Sequence, residues 1–236
     1  MLREFMEANS VLTWRYDGVD VSVIKKPVNV FGAEPYSNGL MDDMQRLATV
    51  SFGAEFDESS QDGVREHILG ADIIAILYSE KSILGFASAK RMEVEGEKIF
   101  YLHGIVIATE HKGNGGSKKL IETLSQLCEA NKIALTTQNP VVFCLLNSLC
   151  DKVFPSPFDK SVPQEIRGLG GKLIEGRQGK FNPQTFVVNG LYDKCLYGGL
   201  PQSRRKEVNS WFSEALEVER GLTTNGFLFV GERATT

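Results

Sequence analysis

The sequence has few of the residues from which disulfide-rich or metal-binding proteins are built. Only four of its 236 residues are cysteine, and three are histidine. The cysteines show no C-x-x-C spacing and no histidine at metal-ligand spacing, so neither a zinc site nor a redox dithiol is predicted, and no metal is expected. We interpret these four as small apolar core residues: Cys128, Cys144, Cys150 and Cys195.

Long runs of one chemical character are also missing. No dense basic run occurs beyond Arg204-Arg205-Lys206, and the formal net charge is -4, which argues against nucleic acid as a partner. No stretch reaches the roughly 18 consecutive apolar residues of a membrane span, and the N-terminus lacks the apolar core of a signal peptide. With 42% hydrophobic and 24% charged residues, we expect a soluble, cytoplasmic globular protein without membrane partners.

The most informative stretch is residues 99–124, where an apolar strand leads into a glycine-rich turn and then into an amphipathic helix. Residues 99–107 are almost wholly apolar, as in a strand buried on both faces. From Ser117 onward, apolar residues recur at helical spacing. The turn between them reads Lys112-Gly113-Asn114-Gly115-Gly116-Ser117, and its amides can converge at a helix N-terminus, where the helix dipole favours an anion. A ligand that carries phosphate is therefore the first hypothesis.

Hydrophobic periodicity and turn residues predict the elements around this stretch. Strands are predicted over residues 19–28, 73–78, 83–90, 99–107 and 133–136, the first of them half-buried. Helices are predicted from Asp42 or Asp43 to about Phe52, over residues 63–69, from Ser117, and from Pro140 with Asn139 as its cap. A helical pair is thus followed by a three-strand meander, the glycine turn and its helix.

The last third of the chain is predicted to complete the same sheet. Proline and glycine become frequent after Phe154, where a domain boundary would fall if there were one. Residues 186–188 and 227–230 instead read as two closing strands, with a helix capped by Ser203 between them. We therefore expect a single domain over residues 1–236, with a core at about 15–154 and a C-terminal part at 155–236.

The order of elements and the glycine turn together resemble the Gcn5-related N-acetyltransferase (GNAT) superfamily. In that family, a turn reading Arg or Gln, two residues, Gly, one residue, then Gly or Ala binds the pyrophosphate of acetyl coenzyme A. Lys112, Gly115 and Ser117 occupy those three positions here, so Lys and Ser depart from the pattern. The resemblance implies an α+β fold with a mixed, mostly antiparallel central sheet flanked by helices, and a helical insertion between the last two strands.

The resemblance also assigns a coenzyme site, with acetyl coenzyme A as cosubstrate. The pyrophosphate would be held by the turn residues Lys112, Gly113, Asn114, Gly115, Gly116 and Ser117. Main-chain groups of Ile105, Val106 and Ile107 would receive the acetyl carbonyl and the pantetheine arm, and a backbone N–H there would act as an oxyanion donor. Asn139 matches a position that often contacts the coenzyme arm, although it suits equally well as the helix cap.

His103 is the leading candidate for the base that removes a proton from the acceptor amine. The period-two rule places His103 on the same strand face as Tyr101, and some family members relay protons through these two positions. A histidine satisfied within the core is an equally open interpretation, and Tyr101 could simply pack as a strand aromatic. His67, in a short surface helix, is given no role.

No residue can be assigned from the family pattern as the general acid that protonates the departing thiolate. Many GNAT enzymes have a tyrosine about seven residues after the asparagine, but the helix here reads Phe143-Cys144-Leu145-Leu146-Asn147. A phenol from elsewhere, such as Tyr192 or Tyr197, would replace it. Water is another alternative, and so is a site that binds coenzyme without efficient transfer.

The resemblance thus implies N-acetyl transfer from acetyl coenzyme A to a primary amine, in a small molecule or peptide, by direct attack within a ternary complex. The loop over residues 52–63 lies where family members admit the acceptor. Its carboxylates would favour a cationic amine by electrostatic attraction. The alternative is that the loop is simply solvated. The carboxylates are those of Glu55, Asp57, Glu58 and Asp62. The rival function is a catalytically weak or inactive coenzyme A sensor or interaction module, and a homodimer stays open.

Overall fold

The computed structural model describes residues 2–32, 35–53, 58–80, 82–159 and 161–233, without the side chains of residues 35–38 and 58–61. The helices are α1 (Leu2–Asn9), α2 (Val28–Phe31), α3 (Pro35–Phe52), α4 (Glu58–Leu69), α5 (Gly116–Leu127), α6 (Pro140–Asn147), α7 (Gln164–Ile174) and α8 (Lys206–Ala215). The strands are β1 (Leu12–Tyr16), β2 (Val19–Lys25), β3 (Ile73–Tyr78), β4 (Ile83–Val94), β5 (Glu97–Ile107), β6 (Lys132–Thr137), β7 (Lys152–Phe154), β8 (Lys180–Phe181), β9 (Val187–Asn189) and β10 (Gly226–Glu232). The fold is α+β, with a mixed, mostly antiparallel sheet flanked by helices, which confirms the predicted fold class.

The chain divides into two compact units. The first contains residues 1–91 and 101–129, and the second contains residues 92–100 and 130–236. Strands β4 and β5 therefore each contribute residues to both units. The expectation of a single domain over the whole chain stays a prediction.

The first unit is built on the strand order β1-β2-β3-β4-β5. Strands β1, β2, β3 and β4 pair antiparallel in sequence, and Ile76 lies opposite Phe86 in the register of β3 with β4. Helices α1 to α4 cover the face that carries Ile74 and Ile76, where Met41 is fully buried with them in one hydrophobic cluster. Helix α5 contacts β3, and Leu77, which points to the opposite face by strand alternation, lies under its first residue. The sheet of this unit is thus covered on both faces.

The second unit has the strand order β6-β10-β9-β8, with β7 paired to β10. Leu228 of β10 lies opposite Thr136 of β6, and Phe227 lies opposite Val187 of β9. Helix α8 falls between β9 and β10 in sequence, as predicted for the inserted helix. An aromatic cluster joins α6, α8 and β10, with ring centroids 4.5 Å apart for Trp211 and Phe227 and 5.1 Å apart for Phe143 and Phe229. The closing strands and their helix therefore share one core.

Several predicted boundaries were wrong because burial outweighs local propensity. Helix α3 begins at Pro35 rather than Asp42 or Asp43, since Leu40 and Met41 are buried in the core. Helix α4 begins at Glu58 rather than Gly63, so part of the predicted loop is helical.

Strand β2 and the cap of α8 also differ from prediction. Strand β2 is buried on both faces rather than half-buried, because its polar residues have partners: Asp20 pairs with Arg15, and Ser22 contacts the Tyr78 hydroxyl. Helix α8 is capped by Arg205 instead of Ser203, whose hydroxyl donates to Asn209 Oδ1 at 2.8 Å.

The cysteines were only partly predicted. All four are free thiols, but Cys128 alone is buried, while Cys144, Cys150 and Cys195 are partly exposed. Burial raises the pKa of Cys128, and it raises the pKa of the Cys150 thiol to about 12. These two thiols are therefore protonated and unreactive at neutral pH.

Within the described parts of the chain, no helix is both long enough and apolar enough to cross a membrane.

Candidate functional site

The glycine turn adopts a conformation that few residues other than glycine reach without strain. After a single 3-10 turn at Thr109–His111, the backbone takes positive φ at Gly113 (89°) and Gly115 (78°). Gly115 is the N-cap of α5, and the helix begins at Gly116. Since an L-residue rarely adopts such φ values, these two glycines direct the chain into the helix.

The start of α5 has the electrostatics of an anion site. The N-cap Gly115 offers no side-chain acceptor, and the first turn contains no acidic residue. By helix geometry, the amides of Gly116 and Ser117 have no partner inside the helix. Lys112 on the turn and Lys118 in the first turn are exposed, with the latter 3.9 Å from Glu122. Unpaired amides, the helix dipole and lysines all favour a negative ligand at this point.

Tyr16, at the end of β1, contacts this turn although the two are far apart in sequence. Its hydroxyl donates a hydrogen bond to the carbonyl oxygen of Asn114 at 2.9 Å. A Cβ placed on Gly115 would lie 2.8 Å from the same hydroxyl oxygen. The contact therefore links β1 to the turn, and a side chain at position 115 would require the phenol to move. A role for Tyr16 was not predicted, because no local sequence pattern reports a contact across 98 positions.

The end of β5 is packed so closely that its main chain is held in place. Ile105 is half-buried, while Val106 and Ile107 are buried. A Cβ on Gly85 of β4 would meet Ile107 Cδ1 at 2.6 Å and the Val106 carbonyl oxygen at 2.9 Å, so only glycine fits there. The Ile107 carbonyl accepts a hydrogen bond from Ser51 Oγ at 3.3 Å. This carbonyl retains one lone pair for a further donor.

His103 lies between two aromatic neighbours in the first unit. Its ring centroid is 5.9 Å from that of Tyr101, edge-on, which agrees with the predicted shared strand face. It is 5.2 Å from the ring centroid of His67 on α4. His103 is half-buried, Tyr101 is 1% exposed and His67 is exposed. The neighbour His67 was missed, because nothing in its helical periodicity points to β5.

Asn139, in the second unit, is the N-cap of α6, as its alternative interpretation predicted. Its Oδ1 accepts from the backbone N–H of Val141 at 2.9 Å. Its Nδ2 donates to the hydroxyl oxygen of Tyr197 at 3.3 Å. Burial is the main cause that raises the pKa of Tyr197 to about 12, and the hydrogen bond from Asn139 opposes it. This phenol therefore stays protonated throughout the neutral and mildly alkaline range.

Gln138 holds the segment that carries Tyr197. The side chain is completely buried, and its Nε2 donates to the carbonyl oxygens of Thr223 at 2.7 Å and Asn225 at 3.0 Å. Its Oε1 accepts from the backbone N–H of Leu196 at 3.1 Å. Adjacent residues 138 and 139 thus secure positions 196 and 197 at the end of β6.

The acidic residues proposed for the acceptor side are only partly described. Glu55 and Asp57 lie outside the described residues, as does the side chain of Glu58. Asp62 is exposed on α4. Among the residues that the structure describes, no group of three or more His, Cys, Asp or Glu side chains could hold a metal ion.

Comparison with known proteins identifies the class of this domain. Residues 40–142 match the acetyltransferase (GNAT) family model. The chain therefore carries a GNAT acetyltransferase domain, and the resemblance predicted from the glycine turn is confirmed. The matched segment contains β5, the turn and α5, and it supports an acyl-coenzyme-A-dependent acyltransferase. No curated protein sequence is significantly similar to the chain.

Several solved structures of acetyltransferases are similar to this chain at low sequence identity. An aminoglycoside 6'-N-acetyltransferase complexed with coenzyme A is 13% identical, with a TM-score of 0.44, and the alignment covers 91% of this chain and 98% of that one. An acetyltransferase of the GNAT family from Streptococcus pneumoniae is 13% identical, with a TM-score of 0.43 and coverage of 90% and 99%. A GNAT family N-acetyltransferase from Escherichia coli in complex with coenzyme A is 11% identical, with a TM-score of 0.38 and coverage of 53% and 66%.

Proposed function

We propose that the protein transfers an acetyl group from acetyl coenzyme A to a primary amine by direct attack within a ternary complex. The observation that supports this most strongly is the glycine turn at the start of α5, which has the backbone and charge of an anion site and lies inside the family-matched segment. The amine nitrogen forms the new C–N bond, and the C–S bond of the thioester breaks. One proton leaves the amine and one is gained by the departing sulfur.

The coenzyme would bind along the end of β5 and the turn that follows it. Amides at the start of α5 and the side chain of Lys112 would receive the pyrophosphate. Main-chain groups of residues 105–107 would align the thioester, with one N–H opposite the carbonyl oxygen to stabilise the charge that develops during attack. The rigid packing of Gly85 against Val106 and Ile107 supports such a preorganised donor. Asn139 remains a proposed contact of the coenzyme arm.

His103 is the proposed base, because it combines an imidazole with a half-buried position on β5. Attack requires the neutral amine, and an imidazole titrates near neutrality, so it can accept the amine proton under ordinary conditions. Tyr101 contacts the ring of His103 and is buried, which favours a packing role that orients the base.

Tyr197 is the proposed donor to the departing sulfur in place of the tyrosine that α6 lacks. Its hydroxyl lies 3.3 Å from Asn139 Nδ2, and Asn139 is the residue that the resemblance assigns to the coenzyme arm. Because the pKa of Tyr197 is raised to about 12, the phenol carries its proton at every pH where the enzyme would work. Tyr192 is the other candidate phenol.

Two measurements test this function in sequence. Acetyl coenzyme A is expected to raise the melting temperature, because a ligand that binds only the folded state stabilises that state. ATP and NAD are not expected to change the melting temperature. An unchanged melting curve with acetyl coenzyme A would contradict the proposal that the protein binds this coenzyme. Release of free thiol is then measured across a panel of primary amines, including polyamines, amino sugars and lysine peptides, with water alone as the control.

A second function is favoured by one observation. Helix α6 has no tyrosine at the usual acid position, which suits a coenzyme A sensor that binds without turnover. The two functions separate cleanly in the same experiments. A melting shift with coenzyme A and no thiol release from any amine would support the sensor, whereas amine-dependent thiol release supports the transferase.

A further inference from the structure

Helix α4 brings a second imidazole to the proposed base. The ring centroids of His67 and His103 are 5.2 Å apart, with the rings inclined at 58°. The ring of Tyr101 contacts that of His103, so the side chains of Tyr101, His103 and His67 form a row. Exposure increases along it, from Tyr101, which is buried, through His103, which is half-buried, to His67, which is exposed. The row thus leads from the interior of the first unit to solvent.

The hydrogen bond of His67 defines which of its nitrogens can accept a proton. Its Nδ1 lies 2.6 Å from the carbonyl oxygen of Gly63, one helical turn earlier. A carbonyl oxygen can only accept, so Nδ1 carries the hydrogen. In the neutral ring, Nε2 then has the lone pair. His67 is therefore held by its own helix in the tautomer of a proton acceptor.

We propose that His67 is the exit of a two-imidazole proton relay, in which it acts through His103 rather than on the substrate. This inference rests on the proposed function of His103 as base. The amine proton passes to His103, then to Nε2 of His67, directly or through one water, and finally to bulk water. Only N–H and O–H bonds are exchanged, and no electrons are transferred.

Replacement of His67 by asparagine gives the sharpest test. The Asn Nδ2–H can replace the donor to the Gly63 carbonyl, so the helix contact is kept while the proton acceptor is lost. We expect kcat of His67→Asn to fall roughly tenfold, with the KM for acetyl coenzyme A and the melting temperature unchanged. In His67→Ala, added imidazole should restore most of the lost rate, whereas pyrazole, a ring of similar size but much weaker basicity, should not.

The double variant distinguishes a relay from two independent effects. If His67 acts through His103, His67→Asn should cause no further loss in a His103→Ala background. Multiplied losses, equal rescue by imidazole and pyrazole, or wild-type kcat in His67→Asn would each overturn the relay while leaving acetyl transfer standing. A wild-type protein that binds acetyl coenzyme A but acetylates no amine would instead overturn the proposed function, and the relay with it.

Discussion

The hydroxyl of Tyr16 donates a hydrogen bond to the carbonyl oxygen of Asn114, and this contact joins β1 to the glycine turn. Tyr16 lies at the end of β1, before the segment that matches the GNAT family. The hairpin of β1 and β2 therefore has a role in the proposed coenzyme site, although it supplies no residue to the family pattern.

Substitution of the two positive-φ glycines should separate backbone strain from steric conflict. Gly113→Ala and Gly115→Ala each introduce strain of about 1–2 kcal/mol. Only Gly115→Ala also places a Cβ 2.8 Å from the Tyr16 hydroxyl, whereas nothing lies within 4 Å of a Cβ at Gly113. We expect Gly115→Ala to weaken acetyl coenzyme A binding at least tenfold more than Gly113→Ala, as measured by calorimetry. Equal losses in the two variants would contradict the steric role of Tyr16.

Tyr16→Phe removes the hydrogen bond and keeps the ring. Its loss should cost about 0.5–1.5 kcal/mol, seen as a three- to tenfold weaker affinity for acetyl coenzyme A. The KM for the amine should not change. Since the next atom of Tyr16, Cζ, would stand 4.0 Å from a Cβ at Gly115, the Phe variant should also tolerate Gly115→Ala better than the wild type does. Strict additivity of the two changes would exclude this coupling.

His103→Ala should lower turnover several-fold and remove the limb of the pH-rate profile near neutrality, because the proposed base is gone. The measurement is kcat against pH at saturating acetyl coenzyme A and amine. The affinity for acetyl coenzyme A serves as the control and should be unchanged. A retained limb would return His103 to the role of a core residue.

Tyr197→Phe should lower kcat by a similar factor at every pH from 6 to 10, where the raised pKa of about 12 keeps the wild-type phenol protonated. The raised pKa of Tyr197 also makes the stability of the folded state depend on pH. Between pH 10 and pH 12 the unfolded tyrosine loses its proton first, so the folded state loses stability as pH rises. The Phe variant should show a shallower alkaline fall in melting temperature, with Tyr192→Phe as the control. A decline in wild-type kcat near pH 10 that the Phe variant lacks would argue for an ordinary phenol.

Gln138→Leu should destabilise the protein by at least about 2 kcal/mol, since it leaves the buried carbonyl oxygen of Thr223 and the partly buried one of Asn225 without their donor. Chemical denaturation gives the change in the free energy of unfolding. Gln126→Leu, at an exposed position of α5, is the matched control and should stay within about 0.5 kcal/mol of wild type. Similar losses in both variants would show that the buried network adds little.

The predictable parts of the site are those encoded by neighbouring residues. The turn could be read from its glycines, because positive φ is a local property of the chain. The cap of α6 could be read from Asn139 and Pro140 for the same reason. The antiparallel pairing of β3 with β4 likewise followed from two apolar runs joined by a short connection.

The parts that were missed depend on contacts between distant positions. His67 meets His103 across the packing of α4 on the first unit's sheet. Tyr197 was predicted as one of two candidate phenols, but its contact with Asn139, 58 positions away, was not predicted. Periodicity records which face of an element is apolar, but not which element will cover it. The early start of α3 was hidden likewise, because Gly39 discourages a helix unless packing of Leu40 and Met41 compensates for it.

The contact between Tyr16 and Gly115 also restricts the order in which this turn can evolve. With the phenol in place, alanine at position 115 meets an oxygen at 2.8 Å. Once phenylalanine has replaced the tyrosine, only the backbone strain remains. We therefore expect loss of the hydroxyl to come before loss of the glycine, since the reverse order passes through a chain in which the phenol and the new Cβ conflict.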